Sequence, residues 1–169
     1  MLRNFAVNTA LAGLLLVATP GVASEGGSDK ILEFETMAGV NRPYLGATNP
    51  IRGVGGGGLP WVIGRGKGEV RADGRVEVKV RGLVLADDPA VAPAARLTNP
   101  SPTFRVVVSC ESVDAAGAPA VVNVATAPFP ATPTGDAEIE AALELPMPCY
   151  APVLFVTNAA GRWFAVTGR

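Results

Sequence analysis

Charged and apolar side chains alternate without exception over residues 75–81, in the order Arg-Val-Glu-Val-Lys-Val-Arg. Because successive side chains of a β-strand point to opposite faces, this period of two predicts a strand with one buried and one solvated face. A similar run, residues 67–72, comes just before it, and Asp73-Gly74 separates the two. An Asp-Gly pair between such runs is typical of a hairpin with a tight primed turn, which needs positive φ. We therefore predict antiparallel strands over 67–72 and 75–85.

Shorter apolar or alternating stretches predict the remaining strands, with turn signals between them. They cover residues 31–36, 61–64 (continuing into Lys67), 103–112, 120–126, 136–145, 152–157 and 162–167. The Ala and Glu content of 136–145 leaves a helix open there, but its period of two favours a strand. Seven to eight strands in a chain of this size predict an all-β fold, a two-sheet β-sandwich of immunoglobulin-like type, with a small closed barrel as the alternative.

Three long connections are rich in Gly, Pro or Thr and are predicted to be loops, namely residues 37–60, 86–102 and 127–135. The first contains four consecutive glycines, Gly55 to Gly58. A phosphate-binding loop would need Gly-Lys-Ser/Thr followed by a helix, which is not found here, so we interpret the glycines as a flexible loop. Arg42 and Tyr44 in the same connection are candidates for contact with a partner, because binding residues concentrate in loops.

The start of the chain has the pattern of a secretory signal peptide. Arg3 is followed by an uncharged, mainly apolar run over residues 5–18, then by Pro20 and the small residues 22–24. A membrane-spanning helix would need about 20 apolar residues, more than this run provides. We predict that residues 1–24 form a signal helix that is removed. Residues 25–169 would then be a single secreted, extracellular domain without a stable membrane span.

Two cysteines, Cys110 and Cys149, lie in the predicted exported region. An even pair in an exported protein predicts one disulfide bond. A bridge across about 40 residues stabilises a fold by about 4 kcal/mol in the chain-entropy description. A reactive thiol pair is the alternative, but the spacing is not Cys-x-x-Cys and no His is present to lower a thiol pKa.

The absence of His and the balanced charge restrict the chemistry. Without His, Ser-His-Asp triads and His-ligated zinc or haem are excluded. A net charge of −1 argues against nucleic-acid binding, which needs excess Lys and Arg. We therefore predict no cofactor and no nucleic-acid partner.

Carboxylate pairs could still serve a glycosidase or hold Ca²⁺. The candidates are Asp87 with Asp88, Glu33 with Glu35, and Glu138 with Glu140 and Glu144. Turns and solvated strand faces explain these acids more simply. Core packing within strands likewise explains Trp61 and Trp163 better than ligand binding does.

The charged faces of two regions have opposite character. Residues 61–81 carry six basic and three acidic side chains, whereas residues 134–145 carry four acids and no base. If these strands are neighbours, the two faces pair across strands. If they lie in opposite sheets, the basic face, including Arg75 and Lys79, could attract an anionic envelope polymer. The paired surface is the simpler interpretation.

Four stretches within residues 25–169 resemble those of a known protein family. They are residues 58–63 (Gly-Leu-Pro-Trp-Val-Ile), 103–110 (Thr-Phe-Arg-Val-Val-Val-Ser-Cys), 155–157 (Phe-Val-Thr) and 163–168 (Trp-Phe-Ala-Val-Thr-Gly). In these the chain resembles a family of secreted bacterial proteins with no known function, so the resemblance implies export but no site. The order of glycine-rich loop, hairpin and residues 80–83 is also similar to chordin-type extracellular β domains. Those domains carry a later histidine pair that this chain lacks, so no metal role is carried over.

These observations predict a secreted, non-enzymatic binding or structural module. Its partner would be an envelope polymer or an extracellular protein. One alternative is an inhibitor or accessory domain that uses the 37–60 loop. Another is an extracellular hydrolase that depends on carboxylates.

Overall fold

A computed structural model describes residues 29–167, so the predicted signal helix at 1–24 lies outside the described residues. The described chain is all-β apart from one short 3-10 turn at Pro93–Ala95. Its strands are β1 Lys30–Phe34, β2 Met37–Gly39, β3 Trp61–Val62, β4 Arg65–Arg71, β5 Arg75–Arg81, β6 Val84–Leu85, β7 Thr103–Val113, β8 Pro119–Ala125, β9 Phe129–Pro130, β10 Ala137–Ala142, β11 Tyr150–Thr157 and β12 Trp163–Thr167. Eight of these have five or more residues, which agrees with the seven to eight strands predicted from the sequence.

The strands form two main antiparallel sheets and one small one. The four-stranded sheet has the order β1-β4-β5-β10, and the six-stranded sheet has the order β2-β12-β11-β7-β8, with β9 added to β7. β3 and β6 pair with each other. The predicted two-sheet, all-β architecture is confirmed. The segment 136–145 forms strand β10 rather than a helix.

The predicted β4–β5 hairpin is confirmed, but its turn is of another type. Gly74 has φ of 86° and its N–H donates to the carbonyl of Arg71 at 2.9 Å. Asp73 is not among the residues with positive φ, whereas both primed turn types require positive φ at the first central position. The loop is therefore Ala72 to Gly74, with β4 and β5 paired from Val70 opposite Val76 onwards. This longer loop keeps the two valines on one face, which a two-residue loop would not.

The core lies between the two main sheets and follows the alternation of the sequence. In β5 every apolar side chain is buried and every charged one is exposed. Val76, Val78 and Val80 share the core cluster with the even positions of β7, including Phe104 and Val106. Core packing of both tryptophans is confirmed, since each is at most 5% exposed. The Trp61 ring also stacks on Phe164 with centroids 3.8 Å apart.

Two predicted strands are shorter than expected because backbone bonds redirect the chain. The strand predicted to run from Trp61 into Lys67 is interrupted after β3, which pairs with β6 instead of joining the four-stranded sheet. The strand predicted over 75–85 breaks at Gly82, which has φ of 64°. The Gly82 N–H donates to the Asp136 carboxylate at 2.9 Å. The positive φ of Gly82 and this hydrogen bond end β5 at Arg81.

The region 37–60, predicted to be a loop, begins with strand β2, and its residues 40–58 cross the six-stranded sheet and are tied to it. The backbone N–H of Trp163 in β12 donates to the Gly55 carbonyl at 3.0 Å, and the Trp163 carbonyl accepts from the Gly57 N–H at 2.8 Å. Arg52 donates to the Ser109 carbonyl at 3.1 Å. The glycine run is therefore not the flexible loop predicted from sequence. Gly56 and Gly57 are buried, and a side chain on Gly56 would collide with backbone atoms.

The predicted disulfide bond is confirmed. Cys110 in β7 and Cys149, which directly precedes β11, are joined with an S–S distance of 2.01 Å. β7 and β11 are neighbours in the six-stranded sheet, so the bridge lies within one sheet. In antibody domains the corresponding bridge joins the two sheets. Within residues 29–167, no helix has the length and apolar character to cross a membrane.

Candidate binding surface

The outer surface of the four-stranded sheet carries a high density of charge, and we call it the charged face. In β4 the inward positions are Gly66, Gly68 and Val70, so the charged side chains between them point outward. The same alternation turns the charged residues of β5 and β10 to this side. The charged face comprises Lys30, Glu33, Arg65, Lys67, Glu69, Arg71, Arg75, Glu77, Lys79, Arg81, Glu138 and Glu140.

Side chains of the same sign face each other across β4 and β5. The register places Arg65 opposite Arg81, Lys67 opposite Lys79 and Glu69 opposite Glu77. Directly opposed side chains have Cβ atoms about 4.5–5.5 Å apart, and like charges at that separation destabilise a sheet. The hairpin therefore stacks three repulsive pairs in succession.

The acidic pair belongs to a row that crosses the whole sheet. Glu33 of β1 lies opposite Glu69, and Glu140 of β10 lies opposite Glu77. Four carboxylates thus occupy successive strands at one level, which we call the acidic row. Next to it the lysine row, Lys67 and Lys79, lies between the acidic row and the Arg65–Arg81 pair.

Ion pairs link these rows along the strands. Lys30 contacts Glu69 at 2.7 Å and Glu33 at 2.9 Å. The Arg71 guanidinium lies 2.6 Å from Glu69. The hydrogen bond from Lys30, followed by that from Arg71, lowers the pKa of the Glu69 carboxyl. The hydrogen bonds to Glu69 and then to Glu33 raise the pKa of Lys30. Both Glu69 oxygens are therefore engaged by cations other than the lysine row.

The strands with opposite charge are neighbours, so the paired-surface interpretation holds where β5 meets β10. Glu138 lies opposite Lys79 in the register. Its carboxylate contacts Arg81 at 2.6 Å and Lys79 at 4.0 Å. The Arg81 hydrogen bond, with the Lys79 charge, lowers the pKa of Glu138. Arg75, the other predicted contact on this face, lies 2.8 Å from Asp73.

Lys67 differs from its neighbours in having no ion pair with any described carboxylate within 4.0 Å. It lines a shallow depression of 220 Å³ together with Lys79, Gly68 and four carboxylates, those of Glu33, Glu35, Glu69 and Glu77. Lys67 was not among the residues singled out from the sequence. The sequence nevertheless contained the information that places Lys67. Burial of both valines requires Val70 opposite Val76, and that register places Lys67 opposite Lys79.

The other predicted contact residues, Arg42 and Tyr44, lie in the segment 40–58 and not on the charged face. Arg42 is 63% exposed at its side chain and lies 3.5 Å from Asp88. Tyr44 is 42% exposed, and its ring lies 6.4 Å from the Trp163 ring. The four predicted contact residues therefore divide into two pairs on different surfaces.

Five of the seven candidate catalytic acids form ion pairs with different basic residues, namely Glu33, Glu35, Asp87, Asp88 and Glu138. Asp87 contacts Arg96 at 3.2 Å, and Glu35 contacts Arg65 at 3.2 Å. The pKa of the candidate Glu138 is lowered, the opposite of what a general acid requires. Among residues 29–167, no group of three or more acidic or Cys side chains is arranged to hold a metal ion.

Comparison with known proteins gives no relative from which a site could be transferred. No protein-family model, curated protein or solved structure matches this chain. The geometry of the charged face is therefore the basis for any functional proposal.

Proposed function

We propose that this protein is a secreted, non-enzymatic binding module that contacts an anionic extracellular polymer through the lysine row. The observation that carries the proposal is the opposition of Lys67 and Lys79 without a carboxylate partner for Lys67. A sheet selected for stability alone would place opposite charges there. Proteins commonly depart from such rules where a surface has a function.

The geometry suits a ligand with repeated negative charges. Adjacent strands lie about 4.8 Å apart, and alternate residues along a strand lie about 6.7 Å apart. Lys67, Lys79, Arg65 and Arg81 thus occupy the corners of a small basic rectangle, on the side of the lysine row away from the acidic row. Lysine heads at such positions act as mobile point charges that adapt to a flexible polyanion.

The test is retention on immobilised dextran sulfate and on immobilised polyglutamate, two polyanions of different chemistry. We expect retention at low salt that weakens strongly at physiological ionic strength, because exposed charges are screened. The variant Lys67→Glu with Lys79→Glu should elute without retention. The matched control is Arg42→Glu with Arg162→Glu. Arg162 is exposed and directly precedes β12, so the control changes the net charge equally but away from the charged face.

The control also tests the alternative that the 37–60 region makes the contact. Retention lost in the control and kept in the lysine variant would refute the lysine row and favour the Arg42 region. Equal loss in both variants would show that binding follows net charge alone. Thermal melts of both variants establish that each is folded before elution is compared.

A further inference from the structure

Strand β8 is an open edge of the six-stranded sheet. It pairs along its whole length with β7, and no other described strand lies on its far side. Its sequence, Pro-Ala-Val-Val-Asn-Val-Ala, contains no charged residue. Edge strands are normally protected by charges, bulges or a covering segment, because their free N–H and C=O groups can pair with another chain.

The other sheet edges in the described chain have such protection. β1 carries Lys30 and Glu33, and β10 carries Glu138 and Glu140. β2 is covered by β3, since the backbone N–H of Trp61 donates at 2.9 Å to the carbonyl of Val40, which directly follows β2. β8 is thus the long edge that lacks charge.

Hydrogen bonds at its two ends show which groups of β8 face the open side. The backbone N–H of Thr126 donates to the Val106 carbonyl at 2.9 Å, and the backbone N–H of Asp114 donates to the Ala118 carbonyl at 2.8 Å. Antiparallel bonding alternates, so the even-numbered residues of β8 bond to β7. The N–H and C=O groups of Val121, Asn123 and Ala125 therefore point outward.

We propose that two copies of this chain associate by antiparallel pairing of β8 with β8 about a two-fold axis at Asn123. In this register Asn123 pairs with Asn123 of the second copy, and Val121 pairs with Ala125 of the second copy. Every outward N–H then has an outward C=O to receive it, since each bonded pair exchanges two hydrogen bonds. Pro119, which has no N–H to donate, lies beyond the paired residues.

The strand that pairs with β8 is β8 of a second copy, because this strand is complementary to itself. The sequence around Asn123 is nearly palindromic, with Val122 and Val124 on either side and small apolar residues at 121 and 125. A two-fold interface requires one surface to fit itself, and the absence of charge means that no like charges meet. Pairing would also cover Val121, which is 49% exposed.

Sedimentation equilibrium from micromolar to millimolar concentration tests the proposal. The apparent mass of the native chain should rise from that of one copy towards that of two. Val121→Pro removes an outward N–H without removing a bond to β7, so this variant should remain monomeric. Ala125→Lys places a charge at the edge and should have the same effect, which covers the case that the proline variant is poorly folded.

Tyr150→Ser is the matched control, because Tyr150 is 65% exposed on β11 and not at an edge of the sheet. It should associate like the native chain. Amide exchange at Val121, Asn123 and Ala125 should slow several-fold on going from dilute to concentrated native protein. A native chain that stays monomeric at millimolar concentration overturns the proposal, as does association that Tyr150→Ser abolishes and both edge variants retain.

Discussion

Replacing Glu77 by Gln should stabilise the fold, although it removes a charge from an exposed position. Glu77 lies between two other carboxylates, Glu69 and Glu140, at the same level of the sheet. Each directly opposed like-charge pair costs about 0.2–1 kcal/mol. Arg75 and Lys79, two residues away along β5, offset part of that repulsion. A net gain of about 0.5–1 kcal/mol follows, which corresponds to a rise in Tm of about 2–4 °C.

The assay is urea unfolding of the native chain and of Glu77→Gln at low and at high salt. The gain should shrink at high salt, because the screening length falls to about 3 Å at 1 M. Glu138→Gln makes the same chemical change one strand away and should lower the free energy of unfolding, since Glu138 contacts Arg81 at 2.6 Å. Destabilisation by Glu77→Gln, or a gain that salt does not alter, would refute electrostatic repulsion in the acidic row.

Three further predictions concern the turn, the disulfide bond and acid stability. Gly74→Val should destabilise the fold by about 1–3 kcal/mol through positive φ, with a collision against the Leu143 carbonyl adding to the cost; an unchanged Tm would contradict this. Cys110→Ala with Cys149→Ala should lower the free energy of unfolding by about 4 kcal/mol, measured by urea titration against the oxidised native chain. Because the pKa of Glu138 is lowered in the folded state, its contribution is present above the ordinary value of 4.5 and is lost as the pH falls through the folded-state value. A Tm–pH profile of Glu138→Gln should therefore be flatter in that acid range than the native profile, and parallel profiles would exclude this linkage.

Local patterns predicted the longer strands. The β4–β5 hairpin is evident because a period of two defines both the strand and its buried face. Short apolar runs bounded by turn residues indicate β7, β11 and β12. The disulfide bond followed from a count of two cysteines in a chain predicted to be exported. These inferences need no knowledge of which strands are neighbours.

The features that were missed depend on pairing between distant segments. β2 has three residues and is a strand because β12, more than a hundred residues later, lies beside it. The glycine run was interpreted as a flexible loop because glycine is common in loops, yet here the lack of a side chain lets the backbone lie against β12. The acidic row required the order β1-β4-β5-β10, which no single stretch of sequence contains.

The position of β12 has a consequence for how the chain folds. β12 is the last described strand, and it holds β2 on one edge and β11 on the other. It also carries the bonds of Trp163 to Gly55 and Gly57, so segments near both ends of the described chain meet there. Contacts of such long sequence separation form slowly, because a large loop must close before any of them is made. During synthesis the six-stranded sheet therefore remains incomplete until β12 has emerged, and a chain interrupted before Trp163 leaves β2 and the glycine run without a strand to pair with.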